Sequence, residues 1–300
     1  MMSMRSEKPM TTQSKSLFEQ FLVPLFGQLI DKEALLRVRN SIDWEAATGA
    51  IANPQVTYPD YYQTSQFHGV KNGYLNIDAA ITYDPITQYV LPPGETWVRE
   101  SLVNAIQGNP RRILDLGCGT GTTPLMLKRR FPQADVVGLD LSPHMLVMAQ
   151  RKARDAGLDV TFCHGDAVAT GLDAASFDVV CATLLFHETP PSIAKAILRE
   201  SCRVLQPGGQ ILVLDGNQQT LRTVDWLNTI FEEPFIREYS QGNVDAWLGH
   251  AGFATVRTQP VFWLNQLSTA QKPLPVADSV AANYGQTSAS DDLPMTVAPA

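Results

Sequence analysis

Apolar residues follow two alternating rhythms between residues 110 and 216. Short apolar runs, such as Ile113 with Leu114, Val136 with Val137 and Val179 with Val180, read as strands buried on both faces. Between them, apolar positions recur every third or fourth residue, as on one face of a helix. The pattern predicts strands at 112–116, 135–140, 160–165, 177–184 and 210–215. Helices are predicted at 122–130, 143–155 and 191–205, with an irregular or short one after Asp166. The helix after the second strand is well marked: Ser142 is placed to cap it, Pro143 fits its first position and Gly157 lies just past its end. Such alternation predicts an α/β fold with a parallel sheet covered on both faces.

The flanks read differently. From Leu17 to Val38, apolar residues recur at helical spacing, with a kink or split at Pro24. The polar side of this helix is not notably basic, so packing onto the fold is preferred to a membrane-surface role. Residues 54–93 are dense in aromatics and turn residues without a clean period, and predict a cap of short helices and loops. A helix at 94–107 stops at Gly108-Asn109-Pro110. Beyond the fifth strand come a helix at 220–239 interrupted by Pro234, a short helix at 244–252, and strands at 254–259 and 261–267 around Pro260. Residues 1–16 and 272–300 are expected to be disordered. The expected organisation is therefore a helical, aromatic cap at 17–93 followed by the sheet domain at 94–271.

Composition narrows the partners. A net charge of −7 in 300 residues argues against a nucleic-acid partner, because phosphate binding needs clustered Lys and Arg. The basic cluster 128–130 ends a helix, where cations offset the dipole. The four cysteines, Cys118, Cys163, Cys181 and Cys202, form no C-x-x-C pair, so buried thiols in a reducing cytoplasm are expected, with no metal site. No apolar run is long enough to span a membrane, which predicts no stable membrane insertion.

The chemistry gathers around residues 111–122, R-R-I-L-D-L-G-C-G-T-G-T. An apolar strand closed by Asp115 breaks into Gly117, Gly119 and Gly121 and restarts as a helix with Pro124 in its first turn. Dinucleotide enzymes favour G-x-G-x-x-G, which rests a pyrophosphate on the helix N-terminus. Here an acid stands two residues before the first glycine. It would repel a phosphate and suit a cationic amino group.

D-L-G-C-G-T-G resembles the first motif of the class I S-adenosyl-L-methionine (SAM) dependent methyltransferases, and F-D-V-V and R-V-L-Q-P-G-G resemble their fourth strand and the turn before the fifth. The likeness covers about a third of the chain and is closest to the small-molecule branch that includes ubiquinone and menaquinone C-methyltransferases. It implies a Rossmann-like, seven-stranded, mostly parallel sheet whose last strand is antiparallel, with SAM at the strand ends. Asp115, Gly117, Cys118, Gly119 and Gly121 would form the cofactor loop, with Asp115 toward the methionine end. Asp140 would hold the ribose, Asp166 and the Ala167 N–H the adenine edge, and Leu141 and Met145 the adenine faces. Thr183, at the end of the fourth strand, completes the cofactor set.

The implied activity is methyl transfer to a small-molecule acceptor. The aromatic cap and the absence of a basic groove favour an apolar or phenolic one, methylated on oxygen or carbon. His187, in L-L-F-H-E-T-P-P just past the fourth strand, is the candidate base, with His68 and Tyr83 as second choices. Two alternatives stay open: a SAM-binding regulator without catalysis, and, against the glycine spacing, a nicotinamide-dependent oxidoreductase.

Overall fold

The computed structural model describes residues 31–65, 67, 73–90, 94–224, 226 and 233–275. The expectations for residues 1–16, for most of the first apolar helix and for the tail beyond Lys272–Pro275 lie outside these residues, as does His68.

Seven described strands form one sheet: β1 (Arg112–Leu116), β2 (Asp135–Asp140), β3 (Thr161–His164), β4 (Phe177–Thr183), β5 (Leu205–Gly216), β6 (Ala254–Val261) and β7 (Asn265–Gln271). Their order is β3-β2-β1-β4-β5-β7-β6. Strands β1 to β5 are parallel and β7 runs antiparallel between β5 and β6. The chain leaves β1 toward β2 and β3 and then returns to place β4 on the other side of β1. The carboxyl ends of β1 and β4 thus flank the switch point, where a parallel sheet opens a crevice.

Eleven described helices are numbered here in chain order. α1 (Lys32–Asn40), α2 (Trp44–Ile51), α3 (Asp60–Thr64) and α4 (Ile77–Val90) precede the sheet, and α5 (Glu95–Ala105) leads into it. α6 (Thr122–Arg130), α7 (Pro143–Asp155) and α8 (Pro191–Val204) connect the parallel strands, and α9 (Gln218–Thr223), α10 (Ile236–Gln241) and α11 (Val244–His250) follow β5. On one sheet face Val98 and Leu102 of α5 and Leu127 of α6 pack on Ile113, Val179 and Leu212. On the other, α8 buries Ala194, Ile197, Leu198 and Val204, a spacing of three, one and six that keeps them on one stripe, against Leu114, Val180 and Val213.

Local signals that were strong in the sequence hold to the residue. Ser142 Oγ accepts the Met145 N–H at 3.2 Å, and α7 runs from Pro143 to Asp155. Weak signals moved. α4 is a 14-residue helix where only short pieces were expected, because Pro85 and the crowding of aromatics hide its period. No helix follows Asp166 among the described residues, where an antiparallel bridge joins Asp166 to Ala169. Pro260 lies inside β6, which tolerates it because β6 is the sheet edge, and the hairpin turns at Phe262, whose φ is 53°. The expected strand at 261–267 is accordingly replaced by Asn265–Gln271.

α2 and α4 pack on α7 through Trp44, Ala80 and Ile81 against Met145 and Val147. This carries the aromatic segment over the carboxyl rim of the sheet. No described helix is long and apolar enough to cross a membrane.

Candidate active site

A cavity opens at the switch point. Its floor is the glycine loop and the strand ends: Gly117 and Gly119 after β1, Asp140 and Leu141 after β2, Asp166 and Ala167 after β3, Thr183 to Leu185 at β4, with Met145 from α7. Its roof is aromatic, with Tyr61, Tyr62, Phe67, Tyr74 and Tyr83 from the cap. Eight of the eleven residues expected at the cofactor therefore share one wall: Gly117, Gly119, Asp140, Leu141, Met145, Asp166, Ala167 and Thr183.

Asp140 organises the floor. Its Oδ2 accepts the Gly119 N–H at 2.8 Å and its Oδ1 the Ser142 N–H at 2.8 Å, so it fixes the glycine loop and the entry to α7 at once. Burial lifts its carboxyl to about 6, with the Ser142, Gly119 and Leu141 N–H groups restraining the rise. Each oxygen keeps lone-pair capacity toward the cavity. Asp166 Oδ1 accepts the Val168 N–H at 2.9 Å, which shapes the turn behind Ala167. Thr183 Oγ1 is buried without a hydrogen-bond partner on the cavity wall.

Three expected cofactor residues do not reach that wall. Cys118 packs its sulfur toward Gly138, where an added Cβ would lie 2.9 Å away, and its N–H is spent on Leu139 O. Gly121 is needed for packing: an added Cβ would sit 2.9 Å from Ala149 Cβ and 3.0 Å from Phe162, at φ +81°. Gly119, by contrast, has open space where a Cβ would be. Asp115 is 1% exposed and sits behind the loop. Burial raises its carboxyl to about 8, Asp140 adds to the rise and Arg99 opposes it. Its Oδ1 has no hydrogen-bond partner.

His187 also departs from expectation. The turn Phe186–Glu188 puts Glu188 on the cavity lining, while His187 is not among the described lining residues and bonds Asp215 at the end of β5; ligand atoms of His187, Glu188 and Glu233 nonetheless lie within 4.8 Å of one another. His187 Nδ1 lies 2.6 Å from Asp215 Oδ1, and Asp215 Oδ2 accepts the Phe186 N–H at 2.7 Å. Burial by itself would lower the imidazole, but Asp215, with Glu233 and Glu188 nearby, raises it to about 10. An imidazole that keeps its proton at neutral pH does not act as a base in that state. Of the second choices, Tyr83 lines the cavity, and burial pushes its hydroxyl well above 10.

Sequence reasoning missed the ties between cap and floor. Lys152 of α7 donates to Asp84 of α4 at 2.7 Å and to Thr122 at 2.8 Å, and Thr120 of the glycine loop donates to Asp84 at 2.6 Å. His164 accepts the Asn53 N–H on Nδ1 at 2.9 Å, with Nε2 3.0 Å from Leu141 O. Asp84 and Lys152 are 68 residues apart, and no local pattern pairs them. Tyr74 donates to Glu188 Oε1 at 2.6 Å, again from cap to rim.

Comparison with known proteins bears out the resemblance read from the glycine motif. Residues 113–209 match the family model described as a methyltransferase domain. The chain is 44% identical to a demethylmenaquinone methyltransferase of Thermus thermophilus over 119 residues, 40% of this chain and 53% of that protein. It is 31% identical to one of Lactococcus lactis over 157 residues, 52% of this chain and 58% of that protein. The match thus spans a little over half the length of these curated relatives. Among solved structures, a candidate SAM-dependent methyltransferase of Methanococcus maripaludis shares the fold with a TM-score of 0.54 at 17% identity, over 68% of this chain and 96% of that one. Phosphoethanolamine N-methyltransferase 2 of Haemonchus contortus, solved with SAM, does so with a TM-score of 0.53 at 16% identity, over 73% and 61%.

Proposed function

We propose that the protein transfers a methyl group from SAM to an apolar or phenolic small molecule held under the aromatic cap. The observation that carries this reading is the convergence of Asp140, Asp166 and the Gly117–Gly119 loop on one cavity at the switch point. The cavity fits the cofactor chemically. Thr183 Oγ1 is an orphaned polar atom on its wall, Gly119 leaves room for close approach, and the carboxylates suit a cation. In this reading Asp140 holds the ribose hydroxyls, Ala167 and Asp166 the adenine edge, and Leu141 and Met145 its faces. Asp115, which keeps its proton up to about 8 in the free chain, lies behind the loop on the side of the methionine amine, where a cation would favour its ionisation.

SAM supplies an activated methyl group on a sulfonium. The chain's task is to align the acceptor and exclude water. The cap aromatics exclude water, and the Asp84–Lys152–Thr122 tie holds cap helix α4 on the cofactor floor. The named methyltransferase relatives support an enzyme rather than a silent SAM-binding protein, and the glycine spacing disfavours nicotinamide. A cytoplasmic setting is supported by four cysteines that are all free thiols.

Calorimetric titration tests the reading. SAM should bind one to one and NAD not at all. Asp140→Ala removes charge-assisted bonds of about 1.5–3 kcal/mol each and should weaken SAM about tenfold or more. Unchanged SAM affinity in that variant, or binding of NAD in place of SAM, would refute it.

A further inference from the structure

A cluster of metal-ligating groups lies at one edge of the cavity. Ligand atoms of His187, Glu188 and Glu233 all lie within 4.8 Å of one another. Separate parts of the chain bring them together. His187 and Glu188 stand on the turn after β4, and Glu233 comes just ahead of α10. Asp215, at the end of β5, meets His187 Nδ1 at 2.6 Å. No local spacing motif links these positions in the sequence.

The groups are ordered as ligands of a metal are. A histidine that ligates through one ring nitrogen almost always gives its other N–H to a carboxylate or a carbonyl, which fixes the ring. Asp215 is that carboxylate, and it is itself fixed: it is 1% exposed, and its Oδ2 accepts the Leu185 and Phe186 N–H groups at 3.1 and 2.7 Å. Tyr239 of α10 meets the imidazole edge-on, with ring centroids 6.5 Å apart. Nε2 is then the nitrogen that can ligate. Carboxylates that ligate metals are hydrogen-bonded in turn, and Tyr74 donates to Glu188 Oε1 at 2.6 Å. A carboxylate has about four lone-pair sites, so such a bond orients it for a ligand. Even a protonated imidazole leaves these four groups with three negative charges against one positive, and Glu233 is buried. Buried charges are paired or coordinate metals.

We infer that His187, Glu188 and Glu233 bind one divalent first-row metal ion, Mn²⁺ or Zn²⁺, with Asp215 orienting the histidine. One imidazole and two carboxylates suit such an ion, whereas an all-oxygen set suits Mg²⁺ or Ca²⁺. Ligand atoms on a tetrahedral ion of this size stand about 3.3 Å apart, so the cluster closes by about 1.5 Å or less. Binding sends the Nε2 proton to solvent. Three protein ligands leave a position for water or for an oxygen of a bound molecule, and Glu188, which lines the cavity, ties the ion to its edge. The site rests on these four residues and does not require SAM.

The test uses the full-length, untagged protein, stripped with a chelator and titrated with Mn²⁺ and Zn²⁺ by calorimetry. One equivalent should bind, and excess Mg²⁺ should not displace it. Glu188→Gln and Glu233→Gln each keep the shape, remove a ligand charge and should weaken binding by at least about tenfold. Asp215→Asn leaves all three ligands in place and should still weaken it about 10–100-fold. Electron spin echo spectroscopy of bound Mn²⁺ should show coupling to a directly ligated imidazole nitrogen, lost in His187→Gln. No saturable binding, an unchanged affinity in any of these variants that folds, or no nitrogen coupling in the wild type would overturn the inference. If Asp215→Asn fails to fold, Glu188→Gln, on the half-buried turn, carries the test.

Discussion

Asp115 offers a sharp quantitative test, because its carboxyl is held where a charge is expensive. It is 1% exposed, one oxygen lacks a partner, and its proton is retained up to about 8 against an ordinary value of 3.8. An acid whose folded value is raised binds its proton more tightly in the folded chain. Its contribution is therefore neutral below about pH 4, increasingly destabilising as pH rises toward 8, and constant above that. At about 1.36 kcal/mol per unit, the cost at pH 7 is roughly 4 kcal/mol. Asp115→Asn keeps the shape and removes the titration. Thermal unfolding followed by circular dichroism from pH 4 to 8.5 should show the two proteins coinciding near pH 4. They should then diverge by about 1.4 kcal/mol per pH unit, the variant being more stable. At roughly 2–4 °C per kcal/mol for a domain of this size, the gap at pH 7 is about 8–16 °C. A gap that does not depend on pH, or a variant less stable at pH 7, would show that Arg99 holds Asp115 ionised and would refute the reasoning. A buried acid kept at such cost fits a group that a ligand uses. Excess SAM at pH 7.5 should accordingly raise the wild-type melting temperature more than the variant's.

Two further outcomes follow from the same geometry. Gly121→Ala drives a Cβ to 2.9 Å from Ala149 at a left-handed φ and should destabilise the fold by about 1–3 kcal/mol beyond the backbone strain, whereas Gly119→Ala meets open space and should carry only the left-handed strain of about 1–2 kcal/mol, both read by thermal unfolding, with SAM binding weakened as read by calorimetry. His164 has its value lowered by burial, so its cap contact is complete above about pH 6.5 and is lost as pH falls through the lower folded value; hydrogen exchange at Asn53 should rise on that descent in the wild type and lose its pH dependence in His164→Gln.

The sheet core was legible because its signals are local. A glycine at a tight turn, a serine before a proline and an apolar run of five or six residues each act within a few positions, and β1, β2, α6 and α7 end where those residues put them. The cavity floor was legible for a related reason: in a parallel sheet, the residue that closes each strand is carried to the same rim, so Asp140, Asp166 and Thr183 could be assembled without knowing their distances.

What lay beyond the sequence was which way a side chain turns once it is at the rim. His187 and Glu188 are neighbours on one short turn with polar atoms within 4.8 Å of each other, yet of the two only Glu188 is among the described cavity residues. Asp215, 28 residues later, decides the matter by taking the imidazole and the turn's backbone N–H groups together. Cys118 and Gly121 alternate with cavity residues along the glycine loop, yet Phe162 and Ala149, from β3 and α7, make them packing positions. The slot of β7 between β5 and β6, and the tie of Asp84 to Lys152, join residues far apart in the chain. Local pattern sets where elements begin and end, because backbone geometry answers to near neighbours. The choice between the two faces of a turn is made by the partner that satisfies a buried charge, and that partner is known only once the chain is folded.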